Sequence, residues 1–204
     1  NERIVKSHTD NYPEQMISGI IWQLHNKYLI TEIKSGLIII DQHVAHERVL
    51  YESARVAMDG NGMASQTVLF PQALTLQPDE YSNLLNIIPY LEKIGFKLRE
   101  FGESSVIIEG VPIDVNWGTE KEIINEILEK YIHNSELDAS FIDYIASTFA
   151  CKAAVKAGDP LNPEERKHLI DKLFATSHPY YCPHGRPIII NLSLDDLDKR
   201  FERH

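Results

Sequence analysis

Two short segments hold most of the side chains able to do chemistry. DQHVAHERVLYE, residues 41–52, gathers Asp41, His43, His46, Glu47 and Glu52. CPHGRP, residues 182–187, sets a thiol and an imidazole two positions apart. On a helix His43 and Glu47 stand at i and i+4 and so share a face. Imidazole with carboxylate suits zinc or manganese, and Asp41, at the end of the preceding strand, is placed to complete the site. Glu52 falls about 180° around the same helix from His43, which makes it a structural partner of Arg48 or Arg55 rather than a ligand. The order H-x-x-H-E matches neither the H-E-x-x-H metalloprotease signature nor its inverted form, which argues against a protease. A solvated helix start with a capping Asp and two unrelated histidines is the alternative for this segment taken alone.

In CPHGRP, Pro183 and Pro187 stiffen the loop and Gly185 is free to take positive φ, so Cys182 and His184 can face one ion. Cys-x-His supplies half of a tetrahedral site, and the other dense ligand cluster is the one at 41–47. Arg186 would stand beside such an ion, where a guanidinium can hold a phosphate. A buried Cys and a turn His are the alternative here.

The elements that must position these groups read as follows. Residues 17–41 form three apolar runs, ISGIIWQL, KYLITEI and GLIIID, a strand meander leading into a helix from His43 to about Met58 that ends at Gly60-Asn61-Gly62. SQTVLFPQALTL looks extended. A helix follows, begun by Pro78 and stopped by Gly95, then a hairpin turning at Gly102-Glu103 and an amphipathic helix over 119–133. Further helices are expected at about 139–157 and 163–175, then the Pro-rich loop, a strand IIINL, and a short helix capped by Ser193.

Composition is that of a folded protein, with 43% hydrophobic and 25% charged residues in 204. No apolar run approaches the roughly 18 residues of a membrane span, and the polar first residues are no signal peptide, so a cytoplasmic protein is expected. Two cysteines, Cys151 and Cys182, point to thiol or metal chemistry rather than a disulfide framework. The net charge of -10 disfavours nucleic acid at first sight. Its distribution changes that: residues 1–65 carry 6 basic and 8 acidic side chains, 66–136 carry 5 and 12, and 137–204 carry 9 and 10, so the middle third holds -7. Any approach to DNA belongs to the chain ends, where Lys152, Lys156, Arg186, Lys199, Arg200 and Arg203 lie late in the sequence.

DQHVAHERVLYE resembles the D-Q-H-A-x-x-E-x-x-x-x-E signature of the nicking MutL proteins, FACK and CPHGRP resemble their A-C-R and C-P-H-G-R-P signatures in the same order, and Phe201-Glu202-Arg203 resembles the F-x-R near the end of many members. Val44 stands for the family's Ala and Lys152 for its Arg, a change that keeps the charge but loses bidentate phosphate binding. The resemblance covers about residues 15–204. It implies an α+β fold with a discontinuous dimerisation subdomain from both chain ends (16–65 plus 137–204) and an inserted α+β regulatory subdomain (66–136), with 1–15 the end of a linker. It further implies a homodimer that nicks double-stranded DNA in mismatch repair with Zn2+ or Mn2+. Asp41, His43 and Glu47 match catalytic and metal positions, Cys182 and His184 metal positions, and Cys151 a position near that metal, while Lys152, Arg186 and Arg203 are the cations for phosphate. ATP would belong to an N-terminal region without counterpart here, and the mismatch-recognition protein MutS would be a partner. Gln66-Thr67-Val68-Leu69-Phe70-Pro71 resembles the Q-x-x-L-x-P segment that engages the replication sliding clamp, with Gln66 for a polar notch and Leu69, Phe70 and Pro71 for an apolar groove. The alternative is a non-catalytic module for dimerisation and clamp docking with a structural zinc.

Overall fold

Alternating burial organises the first sheet. In the computed structural model, which describes residues 19–60, 62–115, 118–134 and 139–203, β1 (Trp22–Leu24), β2 (Tyr28–Ile33), β3 (Gly36–Asp41) and the late β7 (Ile189–Ser193) form one antiparallel sheet in the order β1-β2-β3-β7. Leu29, Ile33, Ile38 and Ile40 turn inward and are buried. The opposite face carries an apolar row set by the register, Trp22 beside Ile30, Ile30 beside Ile39 and Ile39 beside Ile190. Gly36 permits the close approach of β3 to β7: its φ is +150°, and a Cβ there would lie 2.2 Å from the carbonyl oxygen of Leu192.

The second sheet, ordered β4-β6-β5, is built from β4 (Ser65–Thr75), β5 (Lys97–Glu100) and β6 (Ser105–Pro112), all antiparallel. Four longer helices, α1 (Gln42–Asp59), α2 (Pro78–Lys93), α3 (Glu120–Asn134) and α4 (Ala139–Ala153), precede α5 (Pro163–Phe174) and the short α6 (Leu194–Arg200). The architecture is α+β, as the sequence suggests. Among the described residues no helix is long and apolar enough to cross a membrane.

Two cores meet along α1. Its first half, with Val44, Ala45 and Val49, packs with the inner sheet face, Leu169, Ile170 and Leu173 of α5, and Cys182 and Ile188. Its second half, with Leu50, Ala54 and Met58, joins Leu84, Ile87 and Leu91 of α2, Val106 and Ile108 of β6, Ile123, Ile124 and Ile127 of α3, and Phe141, Ile145 and Phe149 of α4. The segment expected to be a linker end, 1–15, lies outside the described residues.

The sequence predicts a helix to about 157, yet α4 stops at Ala153. The backbone N–H of Val155, which a continuing helix would direct to the carbonyl four residues earlier, donates instead to Nδ1 of His46 at 3.0 Å. Pro78 does begin α2, and Gly95 after it has φ +96°. Ser193 caps α6, its hydroxyl accepting from the N–H of Asp196 at 3.1 Å.

Candidate metal centre

The corner from β3 into α1 is fixed by backbone bonds, Asp41 N–H to the Ile188 carbonyl at 3.0 Å and Gln42 N–H to the Lys27 carbonyl at 2.9 Å. Asp41 then caps the helix, its Oδ1 accepting from the N–H of Val44 at 3.1 Å. One carboxylate oxygen of this expected ligand is thereby engaged in holding the helix start. His43 and Glu47 follow one turn apart.

CPHGRP forms a narrow turn. Tyr181 bridges Pro187, the N–H of Cys182 donates to the Arg186 carbonyl at 2.9 Å, and the N–H of Gly185 donates to the Cys182 carbonyl at 2.9 Å. Gly185 takes φ +80°, the conformation its type allows. The N–H of Arg186 also donates to Cys182 Sγ at 3.3 Å, which fixes where the sulfur points. Cys182 is buried in the first core, whereas His184 and Arg186 are exposed at the rim.

These two segments meet. Donor atoms of Glu47, Cys182 and His184 all lie within 4.8 Å of one another. Glu47 is only 7% exposed, and His184 Nδ1 stands 3.4 Å from its Oε1. A buried carboxylate is costly unless a positive group compensates it, and carboxylate, thiol and imidazole together are a donor set suited to zinc. The residues present therefore fit a divalent ion.

The approach of the loop to α1 has its own supports. Arg48 Nε donates to the His178 carbonyl at 3.0 Å, and Glu52 Oε1 accepts from the N–H of Ser177 at 2.6 Å and from its hydroxyl. Glu52 is also 3.9 Å from Arg48, one of the two partners its spacing suggests, while Arg55 pairs with Asp143 at 3.1 Å. Thus Glu52 anchors the segment leading to Cys182.

Three further side chains of the Asp41 segment hold the loop after α4. Gln42, fully buried, donates from Nε2 to the Asp159 carbonyl at 3.0 Å. His43 Nδ1 is 2.9 Å from the Val155 carbonyl oxygen, and His46 accepts from the Val155 N–H. Burial, above all, lowers the His46 pKa to about 4. Nothing in the sequence around Gln42 or Val155 marks either as functional beyond a glutamine and two histidines at the turn of strand into helix, because their partners lie far along the chain.

Cys151, on α4, is outside the three-donor group, but partial desolvation and then the charge of Glu47 push its thiol pKa up, which places it in electrostatic reach of that carboxylate. Lys152 next to it holds Glu122 at 2.6 Å and Glu126 at 3.0 Å, and these hydrogen bonds push its pKa up. Arg203 packs over the ring of Phe201, 5.8 Å from its centre, beyond α6. In β4 the pairing with β6 slips between Thr67 and Gln72, so the intervening residues bulge, and Leu69 and Phe70 are 85% and 84% exposed.

A family model described as the MutL C terminal dimerisation domain matches residues 21–161, which include the Asp41 segment and stop short of Cys182. The DNA mismatch repair protein MutL of Pelodictyon phaeoclathratiforme is 53% identical over 184 residues, covering 90% of this chain and 29% of that protein. That of Chlorobium limicola is 50% identical over 184 residues, 90% of this chain and 29% of that protein. That of Chloroherpeton thalassium is 46% identical over 203 residues, 99% of this chain and 32% of that protein. The chain spans less than a third of the length of these relatives. With more than half of its residues matched by one family model, the chain belongs to the family of MutL C-terminal dimerisation domains.

Proposed function

We propose that this chain is the homodimerising, metal-dependent DNA-nicking region of a mismatch-repair protein. The observation that carries the reading is the meeting of Glu47, Cys182 and His184 within 4.8 Å, from opposite ends of the chain. His43 is not among the donors that meet within 4.8 Å, and it enters this reading as the fourth donor on its place one turn before Glu47 on the same helix face. When bound, a divalent ion supplies Lewis acidity toward a phosphodiester and makes water more acidic. Arg186, exposed beside Cys182, can hold a phosphate by a bidentate contact. Lys152 is engaged by two glutamates, so its contribution to DNA would require those ion pairs to open. The family and the apolar row Trp22, Ile30, Ile39 and Ile190 support a symmetric dimer through the outer sheet face. The bulge that lifts Leu69 and Phe70 into solvent supports docking of residues 66–71 to a sliding clamp.

The test is metal content and nicking of supercoiled DNA by the full-length protein. Glu47→Ala and Cys182→Ala should each abolish tight zinc binding, because the two half-sites need each other, and nicking with it. Nicking at normal levels in Glu47→Ala overturns the assignment. Tight zinc in a wild-type protein that never nicks favours a structural metal in a docking module.

A further inference from the structure

His43 and His46 sit one turn apart on α1 and capture the two backbone groups of the same residue. A carbonyl oxygen only accepts, so His43 Nδ1, 2.9 Å from the Val155 oxygen, must carry a proton. A backbone N–H only donates, so His46 Nδ1, 3.0 Å from the Val155 nitrogen, must present a lone pair. In the neutral rings the remaining proton of His46 is then on Nε2, and Nε2 of His43 is bare. The two histidines therefore hold opposite tautomers, and Val155 is the pivot between them.

The pivot is itself held. Val155 lies beyond α4, where no helical partner fixes its N–H. Four residues on, the same loop is tied by Gln42 to the Asp159 carbonyl and by the Asp159 carboxylate to the N–H of Lys156 at 2.8 Å. The Val155 carbonyl shares a peptide plane with the Lys156 N–H that Asp159 holds, and His46 fixes the preceding peptide through the Val155 N–H, so the two ties together set the backbone angles of Val155. Metal-ligating imidazoles characteristically donate their second N–H to a carbonyl or carboxylate, which fixes the tautomer and orients the ring.

We infer that His46 is a positioning residue for the metal centre: by fixing the Ala154–Val155 peptide it acts with the Asp159 tie on Lys156 to aim the Val155 carbonyl at His43, whose Nε2 is left free as a donor. The metal-directed part of this inference rests on the reading of Glu47, Cys182 and His184 as a metal site. The tautomer pair does not.

Long-range proton–nitrogen correlation spectra of metal-free, histidine-labelled protein test the pair directly. They should show His43 protonated at Nδ1 and His46 at Nε2. The same tautomer in both rings overturns the inference without any variant having to fold. For the metal-directed part, zinc affinity is measured by competition with a chromophoric chelator. His46→Ala should weaken it about ten- to a hundredfold, the effect typical of outer-shell partners, and shift His43 toward mixed tautomers. His46→Asn, whose amide oxygen can replace Nδ1 as acceptor, should restore both. Unchanged zinc affinity in His46→Ala, with affinity lost in Glu47→Ala, refutes the positioning role and leaves the site reading intact. Affinity that survives Glu47→Ala refutes the site reading and the metal-directed inference together, while the spectra still decide the tautomers.

Discussion

Ile190 is the sharpest probe of the dimer. It is 59% exposed at the end of the row that runs through Ile39 and Ile30 to Trp22, and its side chain lies on the sheet face away from the core. Full burial of an isoleucine side chain stabilises by about 1.5–3 kcal/mol, so covering the part still exposed gives roughly 1–1.8 kcal/mol per protomer. A twofold interface counts each residue twice, which makes roughly 2–3.5 kcal/mol, or a dimer about thirty- to three-hundredfold tighter. Ile190→Asp should forfeit at least this much, since it also desolvates a carboxylate. Sedimentation equilibrium over a concentration series reads the shift from twice the 23.3 kDa chain mass toward the monomer. Circular dichroism checks that the fold is kept. Val56→Asp, at an exposed apolar position on α1, supplies the same charge change away from the sheet and should leave the dimer alone. A dimer dissociation constant unchanged by Ile190→Asp would refute the sheet-face reasoning.

Four other outcomes follow from the structure. Glu52→Ala removes the acceptor for two exposed Ser177 donors and should cost about 1–2 kcal/mol, seen as a Tm lower by a few degrees, with zinc content retained; an unchanged Tm contradicts its anchoring role. The fold holds His46 near pKa 4, in a cavity that Asp114, Glu165, His168 and Lys172 also line, whereas the unfolded chain takes up that proton near 6.5. Its contribution to stability is present above pH 6.5 and is lost as the pH falls toward 4, by about 3 kcal/mol at most; urea titrations of metal-free protein should show that slope, and His46→Asn should lack it. Changing Gln66 and Leu69 together to Ala should weaken clamp binding more than tenfold in fluorescence anisotropy with little change in Tm, because Leu69 is 85% exposed and Gln66 gives up only an exposed 3.5 Å bond to the Ile113 carbonyl. Gly36→Ala should destabilise by about 3 kcal/mol in urea, the upper range for overpacking, since the new Cβ meets backbone that cannot step aside; tolerance would mean that β3 and β7 separate easily.

Local punctuation made the elements legible. Pro78 and Gly95 delimit α2, Ser193 starts α6, and the alternation in KYLITEI and GLIII marks two half-buried strands. The Cys182 and His184 half-site could be recognised as half of something because two donors in a stiff loop cannot close a tetrahedral shell. What stayed hidden depends on contacts distant in sequence. Nothing near Lys152 in the chain announces that Glu122 and Glu126 will face it across two helices, so the lysine read as a free cation. The end of α4 is hidden for the same reason: Ala154, Val155 and Lys156 do not break helices, and the competing acceptor, His46, lies more than a hundred positions earlier. Helical geometry alone sets Glu52 on the face opposite His43, but its grip on Ser177 needs the fold.

The line of contact between the two cores falls in the middle of α1, a continuous helix, and not at a loop. Cutting out residues 65–134 would remove β4, α2, β5, β6 and α3 cleanly from the standpoint of the sequence. It would also strip the cover from Leu50, Ala54 and Met58 on α1 and from Phe141, Ile145 and Phe149 on α4. The remainder would carry an apolar flank next to the helix that presents Glu47, so a truncated protein prepared to isolate the metal centre should aggregate rather than report on it. To study the halves apart, the apolar residues on those flanks of α1 and α4 would have to be replaced by polar ones at the same time.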